Sequence, residues 1–353
     1  MTDIIASLKF SPGHFSHLLA WSKILKGLGR NSLLYLDKGY RSLLQGVGDI
    51  EHVFSLTQFQ GEFDIALIYN SSIKNDSLIC KLNRCKTVFV YHEPGITFNQ
   101  RLKEGPSFFL KSAAASFLNK RIVKKVDKVL VPSLFAKRAY EQNEHGLNGN
   151  VEYFPLIFDD ENRISYNPMC KRFFFSYIGT VAKAHDFDGF LKYMEFAYKN
   201  KLGTKFLIAT RSKIGNVIAG KPLLTKMISN GQLEVIHGRP LSNEEINECF
   251  ARSFCVWNLY RRSTQSGVLP KAFMFGTPVI ASPIGSFPEF VTPGQNGEII
   301  STSKNFQEIS EALEKIKDSF ERYSTEARKT FLDTFHYKAN IERLQNIIAD
   351  MKG

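Results

Sequence analysis

The sequence has few cysteines, and none of them forms a C-x-x-C pair. The five cysteines of the 353-residue chain are an odd number, which argues against a disulfide framework or a zinc ribbon and favours a reducing compartment. The chain also lacks an apolar run of about 18 residues, so no membrane-spanning helix is expected. Its first residues, MTDIIASLKF, have neither the basic n-region nor the apolar core of a secretory signal, and we expect none.

The composition is that of a globular protein with an anionic partner. Hydrophobic residues make up 43% and charged residues 23%, which excludes a disordered or collagenous chain. Lys and Arg total 46 against 34 Asp and Glu, a net charge of +12 that is spread over both halves of the chain. This excess favours nucleic acid, a phosphorylated small molecule or an anionic membrane surface as the partner.

Short apolar runs alternate with helix-like stretches, a pattern typical of parallel α/β sheets. A polar, proline-containing stretch separates two such blocks, and we predict an α/β fold of two Rossmann-like, doubly wound domains facing across a cleft. In open parallel sheets ligands lie beyond the carboxyl ends of the strands, so the cleft is the predicted site. The predicted boundaries are 1–157 for the first domain, 158–170 for a linker, 171–325 for the second domain and 326–353 for C-terminal helices.

The most specific motif lies at 260–300, where a strand, a polar turn and a helix start follow one another. Ser266 is the predicted N-cap, and Gly267 permits close approach of the backbone. Free backbone amides in the first turn of the helix, including that of Val268, are predicted to bind phosphate. Arg261 and Arg262, which precede the helix start, would add positive charge. The alternative is a capped helix without a ligand that ends at the following Gly-Thr-Pro turn.

The same segment carries a set of residues at fixed offsets that is far more specific than a lone glycine motif. These residues are Gly267, Ala272, Gly276, Pro278, Val279, Ile280, Ala281, Ser282, Gly285, Pro288, Glu289, Val291, Gly294 and Gly297. With them the segment resembles the donor-nucleotide segment of GT-B glycosyltransferases of the family 4 type (glycosyl transferases group 1). The resemblance covers residues 170–300 well, whereas the first half of the chain matches only in its order of elements.

The resemblance implies a GT-B fold in which the second domain binds a nucleotide-sugar donor, the first domain binds the acceptor, and the C-terminal helices pack back toward the first domain. It implies a metal-independent glycosyltransferase without a cofactor that transfers a hexose to a glycan hydroxyl with retention. The implied acceptor is a lipid-linked oligosaccharide in bacterial surface polysaccharide biosynthesis, whether O-antigen lipopolysaccharide, capsule or exopolysaccharide. The implied location is the cytoplasm, at the inner face of the plasma membrane.

The segment departs from the family at two positions. The family has two glutamates eight residues apart, the second on the donor ribose, where this chain has Ser263 and Lys271. A variant subgroup with the opening T-Q-S-G-V-L-P resembles 264–270, so we interpret the change as divergence and keep Lys271 as a donor-binding candidate. Glu289 is the nearest carboxylate and a further donor-binding candidate, with helix capping as its alternative role.

Cations are expected around the diphosphate, because fixed positive charge stabilises the charge that develops on the leaving group. In the first loop of the second domain, the family's Arg and Lys are replaced by Thr180 and His185. The donor-binding candidates follow three predicted strands, and they are Gly179, Lys183, Arg211 and Arg239. The alternative for each cation is a solvated surface residue. The D-x-D pair of Asp186 and Asp188 is predicted to begin a helix, where acids complement the dipole, and no metal site is predicted.

Two segments of the first half carry further candidates. Gly13 and His14 lie in a turn after the first strand, where the family loop approaches the sugar and the diphosphate. His92 and Glu93 follow a later strand, where the family often has a histidine near the sugar hydroxyls. With Arg211 they are the predicted catalytic residues, Glu93 as an acceptor contact or general base. The alternatives are a histidine at a helix start for His14 and a buried core histidine for His92.

Residues 99–125 combine basic side chains with aromatic and aliphatic ones and contain one acid, Glu104. Such a stretch can lie on anionic lipid, which we favour because the family often uses lipid-linked acceptors. The alternatives are a solvated helix face and an RNA-binding surface, although no RNA-binding signature appears.

Two other functions are compatible with the sequence. The loss of both glutamates and of the expected Arg and Lys favours a degenerate, non-catalytic transferase that binds a glycan or acts as a scaffold. Epimerisation of a nucleotide sugar on the same fold is a second enzymatic alternative.

Overall fold

The structure is a computed structural model that describes residues 2–45, 47–48, 50–56, 62–82, 84–94, 106–143, 150–162 and 172–352. The chain divides into two compact units. The first comprises Met1–Asp159 and Thr334–Gly353, and the second comprises Asp160–Asp333.

The first unit contains a parallel sheet of seven strands. They are β1 Thr2–Ser7, β2 Asn31–Leu36, β3 His52–Val53, β4 Phe63–Tyr69, β5 Lys86–Val90, β6 Lys128–Val131 and β7 Val151–Tyr153. Their order in the sheet is β3-β2-β1-β4-β5-β6-β7. Because side chains alternate along a strand, Ile5 of β1 packs on one face of the sheet while Ile4 and Ala6 pack on the other. Both faces are therefore covered, as expected of a parallel sheet.

Helices flank this sheet, and the last helix of the chain is one of them. The helices are α1 Phe15–Gly27, α2 Ile73–Ile79, α3 Pro106–Val123, α4 Leu134–Asn143 and α13 Ile341–Lys352. In α13 the buried residues Leu344, Ile347, Ile348 and Met351 follow the helical period and join the core around Trp21. The C-terminal helix therefore completes the core of the first unit.

The second unit contains a parallel sheet of six strands. They are β8 Phe174–Ile178, β9 Lys205–Thr210, β10 Leu233–His237, β11 Ser253–Asn258, β12 Val279–Ala281 and β13 Gly297–Ile299. Their order is β10-β9-β8-β11-β12-β13. The helices are α5 Phe187–Lys199, α6 Gly215–Ala219, α7 Pro222–Ser229, α8 Asn243–Ala251, α9 Val268–Met274, α10 Phe287–Phe290, α11 Phe306–Asp318 and α12 Phe320–Thr330.

Both sheets have the strand order of a Rossmann fold, which confirms the predicted doubly wound α/β architecture. The order reverses between β1 and β4 in the first unit and between β8 and β11 in the second. At such a topological switch point the two crossovers leave to opposite sides, and ligands of open parallel sheets bind there. The loops that follow these strands are therefore the places to look for a site.

The unit boundaries differ slightly from those predicted from the sequence. Residues 326–333 belong to the second unit, because α12 packs against α9 there. The segment that joins the first unit begins at Thr334 rather than at residue 326. Residues 163–170 of the predicted linker lie outside the described residues.

Candidate functional site

The carboxyl end of β8 meets the start of α9 at the switch point of the second unit. Gly179 follows β8 with φ +128°, a value that strains any residue with a side chain. A Cβ atom added to Gly179 would lie 3.4 Å from Cγ2 of Val268, the first residue of α9. The structure thus brings together two residues that the sequence assigned to one donor-binding site.

The start of α9 has an open space beside Gly267. This residue has φ −74°, and no atom lies within 4 Å of a Cβ atom placed on it. Neither the backbone nor the surrounding protein therefore requires a glycine at this position. A missing side chain that faces open space is what close approach of a ligand to the helix start would demand.

The cap of α9 differs from the prediction. Gly267, not Ser266, is the N-cap, and the Val268 N–H donates to Ser266 Oγ at 3.2 Å. The Val268 amide is therefore hydrogen-bonded within the protein, and its role in phosphate binding stays a prediction. Ser266 Oγ lies 3.5 Å from Asn258 Oδ1 at the end of β11. The buried Nδ2 of Asn258 has no hydrogen-bond partner among the described residues.

Asp186 begins α5 and fixes the loop that follows β8. It is the N-cap of this helix, with φ +48°, and its Oδ1 accepts from the Gly189 N–H at 3.2 Å. This confirms the prediction that the D-x-D pair begins a helix. Arg261 Nη2 donates to the same Asp186 oxygen at 2.5 Å, and Ser303 Oγ donates to Oδ2. Arg261 therefore holds a protein carboxylate rather than extending freely toward a ligand.

His185 is fixed between the loops after β8 and β11. Its ring stacks on Tyr260 with 4.4 Å between the centroids, and its Nδ1 donates to the Thr180 carbonyl at 2.8 Å. A carbonyl can only accept, so Nδ1 carries the proton in this arrangement.

The predicted diphosphate cations fall into two groups. Lys183 and Arg211 are exposed and form no ion pair within the part of the chain that the structure describes. Arg239 instead binds both oxygens of Glu245, which forms the capping box of α8. This hydrogen-bonded partner raises the pKa of Arg239 and lowers that of Glu245 to about 2. Arg239 thus has a carboxylate partner within the protein. Lys183 and Arg211 are exposed cations without one among the described residues, and we call them open cations.

Lys271 is also paired, with a residue that the sequence did not single out. Its side chain is 10% exposed, and its Nζ donates to Glu161 Oε2 at 2.5 Å. Asn247 Nδ2 donates to the same oxygen at 3.1 Å. Burial lowers the pKa of Lys271, while Glu161 opposes that shift. Lys271 therefore has a partner within the protein, and its role in donor binding stays a prediction. No local pattern in the sequence marks Glu161 as this partner.

Glu289 lies half-buried in the short helix α10. Its N–H donates to the Ser286 carbonyl at 3.1 Å, as expected of a residue in the first turn of a helix. Its carboxylate stays a predicted donor contact.

In the first unit, two predicted site residues lie against each other. Gly13 and His14 form the 3-10 turn Pro12–His14 before α1. The His14 ring stacks on the His92 ring with 4.4 Å between the ring centroids. The centroid of the Tyr69 ring lies 4.7 Å from that of His92. As at Gly267, nothing lies within 4 Å of a Cβ atom placed on Gly13. The switch point of the first sheet thus also carries a glycine that faces open space.

His92 is buried among other imidazoles. Burial lowers its pKa well below the usual value, and the nearby His14 and His17 lower it further. His17 was missed by sequence reasoning, although its spacing of three residues from His14 places both near one helix face. Its Nδ1 donates to the Ile157 carbonyl at 2.9 Å. Glu93 is exposed beside this cluster.

Comparisons with known proteins agree with this architecture. Residues 173–318 match the family described as Glycosyl transferases group 1. HepE of Anabaena in complex with UDP and glucose is a similar structure, with 16% identity, 99% of this chain and 100% of that chain covered, and a TM-score of 0.69. A glycosyltransferase from Rickettsia africae is also similar, with 13% identity, 99% of this chain and 98% of that chain covered, and a TM-score of 0.66. Sucrose-phosphate synthase from Thermosynechococcus elongatus is similar too, with 12% identity, 99% of this chain and 98% of that chain covered, and a TM-score of 0.68. None of the curated proteins matches the sequence.

Residues 173–318 are a glycosyl transferases group 1 domain. The chain has the GT-B fold. The resemblance seen in the sequence is confirmed for the domain at residues 173–318 and for the fold, and the variant subgroup stays a prediction. In the glycosyl transferases group 1 domain, the candidate site is the group of loops after β8, β9 and β11, with Gly179, Lys183, Arg211 and Gly267 as its members.

Outside this domain, the surface predicted to contact a membrane is helix α3 of the first unit. Leu110 is 70% exposed and Phe117 is 65% exposed on this helix. Arg121 and Lys125 both bind Asp76 of α2, so these two cations are partly neutralised. Residues 99–105 lie outside the described residues. No helix in the described ranges has the length and apolar character needed to cross a membrane.

Proposed function

We propose that the protein is a glycosyltransferase that moves a sugar from a nucleotide-sugar donor to a glycan hydroxyl. The observation that carries the proposal is the open space beside Gly267 at the switch point of a glycosyl transferases group 1 domain. Lys183 and Arg211 follow the two adjacent strands β8 and β9 and supply positive charge there.

The transfer breaks the bond between the anomeric carbon and the phosphate oxygen of the donor, and the electron pair leaves with the nucleoside diphosphate. An acceptor hydroxyl oxygen forms the new bond to the anomeric carbon. We propose retention, with the hydroxyl proton passing to an oxygen of the departing phosphate. Lys183 and Arg211 stabilise the charge that develops on that phosphate. On this route the cationic side chains of the protein stabilise the leaving group, and no metal or cofactor takes part.

The first unit binds the acceptor in this proposal. His92 is held neutral by burial, so it acts as a hydrogen-bond partner of a sugar hydroxyl rather than as a cation. Exposed Glu93 contacts the acceptor on this route, because the departing phosphate already takes the hydroxyl proton that a general base would accept. Gly13 allows a ligand to approach the turn at His14.

We further propose that the acceptor is a lipid-linked oligosaccharide for a bacterial surface polysaccharide. Support comes from the net charge of +12 and from the exposed Leu110 and Phe117 of α3, which suit the cytoplasmic surface of an anionic membrane. The protein then works in the cytoplasm, peripheral to the inner face of the plasma membrane.

HepE, one of the similar structures, was solved with UDP-glucose as well as with UDP and glucose, so UDP-sugars are the first donors to test. The experiment measures release of UDP or GDP from a panel of nucleotide sugars, with lipid-linked glycan extracts as acceptors. We expect turnover with one donor and its loss in Arg211→Ala, whereas Arg84→Ala, an exposed arginine of the first unit, keeps it. Absence of both turnover and nucleotide binding would falsify the proposal.

A non-catalytic scaffold is the second candidate, because the Lys271–Glu161 pair and the Arg239–Glu245 pair occupy positions expected to serve the donor. Arg211→Ala and His92→Ala separate the two functions in cells. If glycan assembly survives both substitutions but fails when the chain is deleted, the protein acts as a scaffold.

A further inference from the structure

Glu161 lies against the face of α9 that begins at the switch point. Val268 contacts Gly179, and Lys271 lies three residues further along the same face, about 4.5 Å of helix rise away. The Lys271 ammonium binds the Glu161 carboxylate at 2.5 Å. The Lys271 side chain therefore links this face of α9 to the Glu161 carboxylate.

The backbone at Asp160 and Glu161 is fixed by contacts with α9 and α12. Asp160 accepts two hydrogen bonds from Arg328, whose Nη1 also donates to the Met274 carbonyl at 2.6 Å. The Glu161 N–H points to Met274 Sδ at 3.4 Å. The backbone at 160–161 is thus tied to the last turn of α9 and to α12. A carboxylate held in this way is preorganised for binding.

The Glu161 carboxylate is anchored but still reachable. Lys271 and Asn247 both donate to Oε2, which fixes the orientation of the group. The side chain keeps 20% of its exposure, against 10% for Lys271. An ionised carboxylate in contact with solvent accepts hydrogen bonds from hydroxyl groups, and these are stronger than hydrogen bonds between neutral groups.

We propose that Glu161, positioned by Lys271 and Asn247, binds the ribose hydroxyls of the donor nucleotide. This inference rests on the proposed function. The ribose joins the phosphates through one ester bond, so phosphates beside Gly267 leave the ribose within reach of the next turn of α9. A vicinal diol offers two O–H donors, and an acidic side chain near the switch point is the group that receives them in Rossmann folds.

The test compares the binding of UDP and 2′-deoxy-UDP by calorimetry, with GDP and 2′-deoxy-GDP as a second pair. The wild-type protein is expected to prefer the ribonucleotide by about tenfold or more, as loss of a hydrogen bond to a charged group implies. Glu161→Gln is expected to abolish that preference while leaving the affinity for the deoxynucleotide unchanged. A purely structural residue would weaken both ligands alike.

Two further variants control for folding and position. Glu234→Gln removes a carboxylate that binds Arg252 elsewhere in the same unit, and we expect it to keep the preference. Glu161→Gln combined with Lys271→Met leaves no buried unpaired charge, so it covers the case in which the single variant does not fold. The double variant is also expected to lose the preference for the ribonucleotide. Its melting temperature is measured first to show that it folds.

The outcomes separate this inference from the proposed function. If no nucleoside diphosphate binds the wild-type protein, both are overturned. If ribonucleotides and deoxynucleotides bind equally well, or if folded Glu161→Gln keeps the preference, the proposed function stands and Glu161 is only a counterion of Lys271.

Discussion

A Cβ atom placed on Gly285 would lie 1.7 Å from the carbonyl oxygen of Ser263. The loop after β12 therefore packs directly on the loop that leads from β11 to α9. Gly285 also has φ +60°, in the left-handed region that favours glycine. This contact holds the turn before Gly267 from the side opposite to β8, so it positions the helix start that we assign to the donor.

We predict that Gly285→Ala destabilises the protein by on the order of 3 kcal/mol or more, because a backbone clash adds to the left-handed strain. Gly203→Ala is the matched control. Gly203 has φ +69° but nothing within 4 Å of its added Cβ atom, so this variant loses only about 1 kcal/mol. Urea unfolding measures both. Equal losses would show that the contact with Ser263 yields without cost.

The opposite result is expected for Gly267→Ala. Its φ of −74° suits any residue and the added methyl meets no atom, so the free energy of unfolding should change by less than about 0.5 kcal/mol. Affinity for UDP or GDP should fall about tenfold if phosphates occupy that space.

Gly48→Ala in the first unit, also without a neighbour within 4 Å, is the control for this substitution. It should leave nucleotide affinity unchanged. Unaltered affinity in Gly267→Ala would mean that the ligand does not approach the start of α9.

The sequence predicts the parts of this site that depend on local order along the chain. Gly179 directly follows an apolar run, and Gly267 follows another after a polar turn. Parallel strands place their carboxyl ends at one edge of the sheet, so the order of elements is enough to infer that the two glycines belong to one site. The short strands β3, β7 and β13 were not predicted, because two or three residues carry too little periodicity.

The partners of the charged residues could not be inferred in this way. Arg261 meets Asp186 across 75 positions, and Lys271 meets Glu161 across 110. Such pairs depend on how loops of different strands converge, which no spacing within one segment encodes. The sequence therefore predicts where the candidate site lies but not which of its cations already have a carboxylate partner.

The neutralised and open cations should respond differently to substitution. Arg211→Ala is predicted to lower nucleotide affinity about tenfold, because an open cation beside β9 is lost. Arg239→Ala should leave that affinity nearly unchanged, since Glu245 already holds its guanidinium. Calorimetry with UDP and GDP at two salt concentrations checks this, and a larger loss in Arg239→Ala than in Arg211→Ala would contradict the assignment.

The last prediction concerns acid pH. His92 is buried beside His14 and His17, and its pKa in the folded protein lies well below 6.5, its usual value. The unfolded chain therefore binds a proton at His92 that the folded protein rejects. The stability that comes from neutral His92 is fully present above about pH 6.5 and is lost as the pH falls below it, by up to about 1.4 kcal/mol for each pH unit.

His92→Gln removes the group that takes up the proton. The free energy of unfolding of this variant should therefore decline less between about pH 7 and about pH 5 than that of the wild-type protein. These two pH values lie on either side of the ordinary pKa of histidine. His14, whose pKa burial also lowers, contributes in the same direction and leaves part of the slope in the variant. His52→Gln, at an exposed position, is the control and should keep the full slope. Identical slopes in the wild-type protein and His92→Gln, measured by urea unfolding at each pH, would mean that the buried histidine accepts a proton without unfolding the first unit.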